Sequence, residues 1–332
     1  MTAGAAPGRA AGPARTIFFG SGSFAVPILD AVAAHPRLRV VAVVTAPDKP
    51  AGRSRALTAT PVAVRARSLG IPVLQPPGVR SVEVLAGLAA LEPELGVLAD
   101  YGRIIPEALL DLPRLGIVGV HPSLLPRHRG ATPVQATILA GDPEAAVSVY
   151  RMDAGLDTGP LLATTSWPLA GTESAPELEA EAARRGAALL AATIAGYLDG
   201  EVAPTPQPDA SASVTTRFTR DHARLDPLRT AAELERQVRA HAGWPGSFIE
   251  TAAGRLGVIR AIVAPAAGDT AVGAFVEGPS NQPALVAADG QLLVLERVQP
   301  AGGREMSGAD YLRGHRELLG TSVAGAATVS GR

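Results

Sequence analysis

Residues 16–44, TIFFGSGSFAVPILDAVAAHPRLRVVAVV, decide the fold, because a short apolar run is followed by an Ala-rich segment and then by a second apolar run. This order predicts a strand, a helix and a strand. The same alternation continues through further apolar runs at 71–75, 95–99 and 116–121. Repeated units of this length predict an α/β domain in which helices cover a mostly parallel sheet.

A different pattern follows a long Ala- and Glu-rich helix that we predict at 175–198. The segment EVAPTPQPDASAS at 201–213 has the composition of an extended connector. Beyond it, one helical segment and several short strand-like runs between Gly and Pro turns predict a small β-barrel or sandwich. The predicted organisation is a tail at 1–15, a first domain at 16–200, a linker at 201–215, a second domain at 216–320 and a tail at 321–332.

The composition excludes several classes of protein. Hydrophobic residues make up 47% of the 332 residues, which is enough for a core in each of two domains. The formal charge of −1 means that a nucleic acid would have to be met by a local basic patch. Cysteine is absent, which excludes disulfides, thiolate metal sites and cysteine nucleophiles and agrees with a reducing cytoplasm.

The sequence predicts neither a membrane span nor a secretory signal. The apolar stretch at 186–198 is shorter than the roughly 18 residues that a spanning helix needs. Residues 1–15 lack the apolar core of a signal peptide. We therefore expect a cytoplasmic protein with no membrane partner.

A glycine-rich turn after the first apolar run is similar to a dinucleotide-binding motif. Gly20, Gly22 and Ala25 stand at the positions of G-x-G-x-x-A. That motif also requires an acidic residue at the tip of the second strand, whereas the first acid here, Asp48, lies inside a Pro-bounded loop. The sequence therefore favours a tight strand-to-helix turn and predicts no NAD site.

A histidine and an aspartate form the candidate catalytic pair. His121 ends the apolar run at 116–121, and Asp157 lies between two glycines in MDAGLDTGP. Ligands of such sheets bind beyond the carboxyl ends of the strands, where one group can donate a proton while another orients it. A metal site is a poor alternative, since His121 and His128 share a loop with two prolines and no third ligand has a recognisable spacing.

A basic loop, PDKPAGRSRAL at 47–57, is the candidate contact for phosphate groups. It carries Lys49, Arg53 and Arg55 among Pro and Gly residues and has too few apolar residues for a core of its own. The loop is either an ordinary solvated connection or a mobile cationic finger.

These segments resemble the methionyl-tRNA formyltransferase family from about residue 16 to residue 319. The resemblance rests on FFGSGSFAVPIL, on the basic loop, on YGRIIP, on HPSLLPRHRGATPVQATILAGD and on MDAGLDTGP. In the second domain, GWPGSF and QPAGGREMSGADYL are similar to the signatures of that family. The resemblance implies a Rossmann-like formyltransferase domain followed by an OB-like β-barrel that holds tRNA.

The resemblance also implies the reaction and its partners. The first domain would pass the formyl group of 10-formyltetrahydrofolate, a co-substrate, to the α-amine of methionyl initiator tRNA, with no metal and no NAD. The family's catalytic histidine and aspartate map to His121 and Asp157, and a monomer is expected. Two further sets of residues follow from the resemblance: folate-binding Ser123, Leu124, Leu125, Pro126, Tyr101 and Gly102, and tRNA-binding Lys49, Arg53 and Arg55.

Two positions depart from the family pattern: His128 stands where the family commonly has a tryptophan, and the more serious departure is at Gly119. Gly119 stands two residues before His121, where the family has an asparagine that donates to the formyl oxygen, and the one asparagine of the chain is Asn281. Loss of such a donor commonly lowers a rate about 10²- to 10³-fold. Three explanations stay open: a water or backbone N–H replaces the donor, the acceptor is another amine such as an amino sugar, or the chain is a weakened or inactive homologue that binds folate or tRNA.

Overall fold

The computed structural model of the protein describes residues 12–51, 56–268 and 270–323. The chain divides into two compact units. The first runs to Pro133 and continues with Glu144–Pro168 and Leu178–Thr216. The second takes in Val134–Pro143, Leu169–Glu177 and the residues from Arg217 onward. The domain bounds given above stay predictions.

The first part of the chain alternates strands and helices. Its elements are β1 (Ala14–Gly20), α1 (Ala25–Ala34), β2 (Leu38–Val44), β3 (Lys49–Ala51), β4 (Ala56–Thr58), α2 (Pro61–Ser68), β5 (Val73–Leu74), α3 (Val82–Ala89), β6 (Leu95–Ala99), α4 (Glu107–Leu110), β7 (Ile117–His121), β8 (Arg129–Gly130), α5 (Pro133–Ala140), β9 (Glu144–Arg151), β10 (Leu161–Pro168), α6 (Ala175–Asp199) and β11 (Val214–Thr215). β6 is apolar throughout and β7 is apolar up to His121, as is expected of central strands that are buried on both faces of a sheet.

The main sheet of the first unit has the strand order β10-β9-β7-β6-β1-β2-β5. The five strands from β7 to β5 are parallel, whereas β9 and β10 are antiparallel to their neighbours. The predicted Rossmann-like, mostly parallel sheet is thus confirmed. The antiparallel pair was not predicted, and it brings Tyr150 of β9 directly opposite Gly119 of β7.

The glycine-rich turn after β1 is a packing feature. A side chain at Gly20 would place its Cβ 2.9 Å from the carbonyl oxygen of Ala99, so only glycine lets the turn approach β6 this closely. The N–H of Ser21 donates to the carbonyl of Asp100 at 2.9 Å. The carboxylate of Asp48 accepts a hydrogen bond of 2.6 Å from Gln75, which follows β5.

The second unit contains an antiparallel sheet with two helices. Its elements are α7 (Ala231–Ala240), β12 (Phe248–Thr251), β13 (Gly254–Ala264), β14 (Phe275–Gly278), β15 (Gln282–Val286), β16 (Leu292–Pro300), β17 (Met306–Ser307) and α8 (Gly308–Gly314). The strand order is β12-β13-β16-β15-β14, with β17 beside β16, and register shifts interrupt the pairing of β13. Such irregularities bend a sheet, which agrees with the predicted OB-like fold.

The core of the second unit lies between α7 and this sheet. Leu234 and Val238 of α7 pack in one buried cluster with Phe275, Leu285 and Leu295 of the strands. The start of α7 is fixed by a capping box in which Thr230 and Glu233 satisfy each other's backbone N–H groups.

The segment after α6, which belongs to the first unit, is hydrogen-bonded to other strands and loops of that unit. Thr205 exchanges two backbone hydrogen bonds with Leu161. β11 then pairs in parallel with β8. These bonds hold the segment beside the loop that follows His121. No helix in the described ranges has both the length and the apolar character needed to cross a membrane.

Candidate active site

His121 lies at the carboxyl end of β7 with both ring nitrogens near oxygen atoms. The residue is 7% exposed, and its Nε2 lies 2.9 Å from the carbonyl oxygen of His128. Because a carbonyl can only accept, this contact places the proton on Nε2. Nδ1 faces the carboxylate of Asp157, at 3.6 Å from Oδ2. Nδ1 is therefore the ring nitrogen that can take up and release a proton, and the Asp157 carboxylate lies beside it.

The carboxylate of Asp157 accepts a hydrogen bond on each of its two oxygens. Its Oδ2 accepts from the N–H of Gly130 at 2.8 Å, and its Oδ1 accepts from the hydroxyl of Tyr150 at 2.6 Å. Its backbone has φ of 53°, in the left-handed region that Asp adopts more readily than most residues. The turn of MDAGLDTGP thus points this side chain at His121.

Gly119 lies beneath the ring of Tyr150. The two residues are a cross-strand pair, and a Cβ on Gly119 would lie 2.5 Å from Cε1 of the tyrosine. Burial and the negative charge of Asp157 raise the pKa of the Tyr150 phenol well above its usual value of 10.0. The hydroxyl is therefore a permanent donor. The sequence alone assigns no role to Tyr150, since its pairing with Gly119 depends on the register of β7 and β9.

The four loop residues predicted to bind folate differ in exposure. Ser123, Leu125 and Pro126 are buried, whereas Leu124 is 41% exposed. Ser148 fixes this loop, because its Oγ donates to the carbonyl of Ser123 at 2.7 Å and accepts from the N–H of Leu125 at 3.1 Å. The exposed Leu124 is thus the apolar side chain that the loop presents.

Tyr101 and Gly102 follow β6, the strand next to β7, and so lie at the same edge of the sheet as His121. Gly102 has φ of 72°, which suits glycine. The ring of Tyr101 packs edge-to-face against Phe19, and its buried hydroxyl has no hydrogen-bond partner among the described residues. Burial raises the pKa of this phenol, so it remains a donor.

The basic loop forms a short hairpin in the residues that are described. β3 and β4 pair in antiparallel register, with Lys49 opposite Thr58, and the Lys49 side chain is exposed. Arg53 and Arg55 lie outside the described residues. Lys49 thus lies on a two-stranded sheet separate from the main sheet that contains β7.

Gln207 links the loop after His121 to the Asp157 turn. Its Oε1 accepts two hydrogen bonds from the Arg129 guanidinium, at 3.0 and 2.9 Å. Its Nε2 donates to the carbonyls of Asp157 and Gly159, at 2.9 and 2.6 Å. The composition of the segment that contains Gln207 predicts only a linker. The one available signal was a polar Gln in an otherwise Pro-, Ala- and Ser-rich segment.

The arrangement can relay a proton and stabilise negative charge. His121 and Asp157 form an acid–base pair, and the Tyr150 hydroxyl stands beside them. No cluster of three His, Cys, Asp or Glu side chains suited to a metal ion occurs in the described ranges.

Comparison with known proteins identifies the class of enzyme to which this chain belongs. Residues 14–194 match the family described as formyl transferase, and residues 217–316 match the family described as formyl transferase, C-terminal domain. A solved structure with the same fold is an N-formyltransferase from Helicobacter canadensis in complex with folinic acid and dTDP-3-aminofucose. Its TM-score is 0.62 at 16% identity, over 85% of this chain and 98% of the other. Fold and sequence thus define a formyltransferase.

Curated relatives identify the family within the formyltransferase class. A methionyl-tRNA formyltransferase from Roseiflexus sp. (strain RS-1) is 41% identical over 317 residues, covering 94% of this chain and 97% of the relative. One from Pseudomonas fluorescens (strain SBW25) is 42% identical over 311 residues, covering 93% and 97%. The chain belongs to the methionyl-tRNA formyltransferase family.

Proposed function

We propose that this protein transfers the formyl group of 10-formyltetrahydrofolate to the α-amine of methionyl initiator tRNA. The observation that carries the proposal is that relatives of this name match at 41% identity over nearly the whole chain, through both units. The pairing of His121 with Asp157, 3.6 Å apart at the carboxyl edge of the sheet, supplies the chemistry that such a transfer needs.

In this proposal His121 moves the proton of the reaction. The neutral amine attacks the formyl carbon, and the carbonyl electrons pass to oxygen to give a tetrahedral oxyanion. His121 takes up the proton lost by the amine and delivers it to the departing folate nitrogen through Nδ1, since Nε2 is engaged by His128. Asp157 stabilises the imidazolium and keeps its ring aligned.

The folate would lie against the loop after β7 and the tip of β6. The exposed Leu124 offers an apolar surface, and the hydroxyl of Tyr101, which has no hydrogen-bond partner in the described part of the chain, offers a donor. Ser123, Leu125 and Pro126 would act through the backbone and shape of the loop, because their side chains are buried.

The tRNA would be held by charge and by the second unit. Lys49 on its exposed hairpin suits contact with a phosphate, and Arg53 and Arg55 of the same loop are proposed to act with it. Replacement of Lys49 by Ala is expected to raise the KM for tRNA and leave kcat unchanged. We also propose that the protein acts in the cytoplasm, where both substrates occur, and that it works as a monomer.

An amino-sugar acceptor has weaker support. The solved structure that contains an amino sugar is 16% identical to this chain, which carries an argument about the fold alone. The tRNA relatives, by contrast, match at 41% over both units.

A single-turnover assay tests the proposal. Enzyme in excess is mixed with charged initiator tRNA and 10-formyltetrahydrofolate, and formyl-methionyl-tRNA is quantified for the wild type, His121→Ala and His35→Ala. His121→Ala is expected to lower the rate by about 10²- to 10⁴-fold, the usual range for an acid–base group. His35, which follows α1 at the amino end of β2, is the matched control and should behave as the wild type. Absence of product with the wild type, or equal rates for it and His121→Ala, would overturn the proposal.

A further inference from the structure

The space beside Gly119 is filled by Tyr150. A Cβ at residue 119 would lie 2.5 Å from Cε1, 2.6 Å from Cζ and 2.9 Å from the hydroxyl oxygen of this tyrosine. The two residues face each other across β7 and β9, so the tyrosine ring covers the glycine. A large side chain at residue 119 and the observed position of Tyr150 exclude each other. Gly119 and Tyr150 therefore form one structural unit.

The hydroxyl of Tyr150 is joined directly to the catalytic pair. It donates to Asp157 Oδ1 at 2.6 Å, while Asp157 Oδ2 lies 3.6 Å from His121 Nδ1. Tyr150 is 2% exposed, and a buried hydroxyl of this kind has little freedom of position. Only the O–H bond can turn, by rotation about the bond between ring and oxygen.

A formyl transfer needs a donor for the oxyanion, and glycine at residue 119 has no side chain to supply one. The Tyr150 hydroxyl lies 2.9 Å from the point where the side chain of residue 119 would begin. We propose that Tyr150 is the oxyanion donor of this enzyme, with its hydroxyl occupying the place from which a side chain at residue 119 would otherwise donate. This inference rests on the proposed function.

The proposed step leaves the tyrosine protonated throughout. As the amine nitrogen bonds to the formyl carbon, the Tyr150 O–H turns from Asp157 towards the developing oxyanion. The bond between the formyl carbon and the folate nitrogen then breaks, and His121 delivers the proton to that nitrogen. Asp157 retains the N–H of Gly130 at 2.8 Å, so its carboxylate is not left without a donor. Burial and the charge of Asp157 raise the pKa of Tyr150, which agrees with a hydroxyl that donates and does not ionise.

The test removes the hydroxyl and keeps the ring. Single-turnover formylation is measured for the wild type, Tyr150→Phe and Tyr197→Phe, together with the KM for each substrate and the thermal midpoint. Tyr150→Phe is expected to lower the maximal rate about 10²- to 10³-fold, with both KM values within about twofold of the wild type. Tyr197 is the matched control, because its hydroxyl likewise donates one hydrogen bond of 2.6 Å within the first unit, to the backbone carbonyl of Leu115 instead of a carboxylate. Its removal should leave the rate unchanged.

A second variant tests whether the two positions share one role. Gly119→Asn with Tyr150→Ala makes room for an amide in place of the ring, and it should be at least tenfold faster than Tyr150→Ala alone. A Tyr150→Phe rate within threefold of the wild type, while His121→Ala is inactive, would overturn the inference and leave the proposed function intact. A loss seen only in KM or in the thermal midpoint, or no gain in the double variant, would also overturn it. If the wild type gives no product, both the inference about Tyr150 and the proposed function are overturned.

Discussion

Replacement of Gly119 by Ala measures how tightly this glycine is coupled to Tyr150. The new Cβ would lie 2.5 and 2.6 Å from two ring carbons, whereas carbon atoms pack best at about 3.5–4.0 Å. The ring cannot swing aside without losing its hydrogen bond to Asp157, at 2.6 Å. Overpacking of this kind costs about 1–3 kcal/mol. For a unit of this size, each kcal/mol lowers the thermal midpoint by about 2–4 °C.

Calorimetry of a double-mutant cycle provides the assay. Gly119→Ala is compared in the wild type and in Tyr150→Ala, where the ring is absent and alanine in a strand should instead stabilise by about 0.5–1 kcal/mol. The sign of the effect is thus expected to reverse, with a coupling of about 1.5–4 kcal/mol. Gly87→Ala in α3, where a Cβ meets nothing within 4 Å, is the control and should be mildly stabilising. The same cost of Gly119→Ala in both backgrounds would refute the steric argument.

Two further predictions concern buried polar groups. Gln207→Ala leaves the carbonyls of Asp157 and Gly159 without their donor, so we expect a loss of about 1–3 kcal/mol in urea unfolding and a lower kcat, whereas exposed Gln299→Ala should change neither. Burial lowers the pKa of His241 from 6.5 to about 4, so the unfolded chain gains a proton that the folded unit does not. Stability should therefore fall as the pH falls from 6.5 towards 4, and thermal midpoints of His241→Phe should lose this dependence. An unchanged pH dependence in that variant would contradict the assignment.

Local patterns in the sequence predict the strands that lead to His121, one of the two residues of the proposed catalytic pair. The apolar run at 95–99 coincides with β6, and the run at 116–121 includes β7, so the position of His121 at a strand end followed from the sequence. Buried parallel strands give continuous apolar runs, which are visible without any knowledge of their partners. The two antiparallel strands β9 and β10 give no such continuous run, because Ser148 in β9 and Thr164, Thr165 and Ser166 in β10 interrupt their apolar residues.

Long-range pairing explains what the sequence could not predict at the site. Gly119 alone indicates a missing side chain, and only the register of β7 and β9 places Tyr150 over it. A shift of one residue would turn Tyr150 to the other face of the sheet, and no local pattern specifies that register. The sequence therefore shows that residue 119 departs from the family motif. Only the three-dimensional structure shows that Tyr150 fills the space beside it.

The conformation of Asp157 depends on a segment that lies far away in the sequence. A left-handed backbone, here with φ of 53°, persists only where its surroundings determine it. Two contacts do so: Gln207 binds the Asp157 carbonyl at 2.9 Å, and Gly130 binds its carboxylate at 2.8 Å. β11 pairs with β8, which holds the segment of Gln207 beside Gly130. The distance between Asp157 and His121 is thus set by the segment after α6 as well as by the strand that ends at His121, and changes in that segment should alter kcat without touching a substrate.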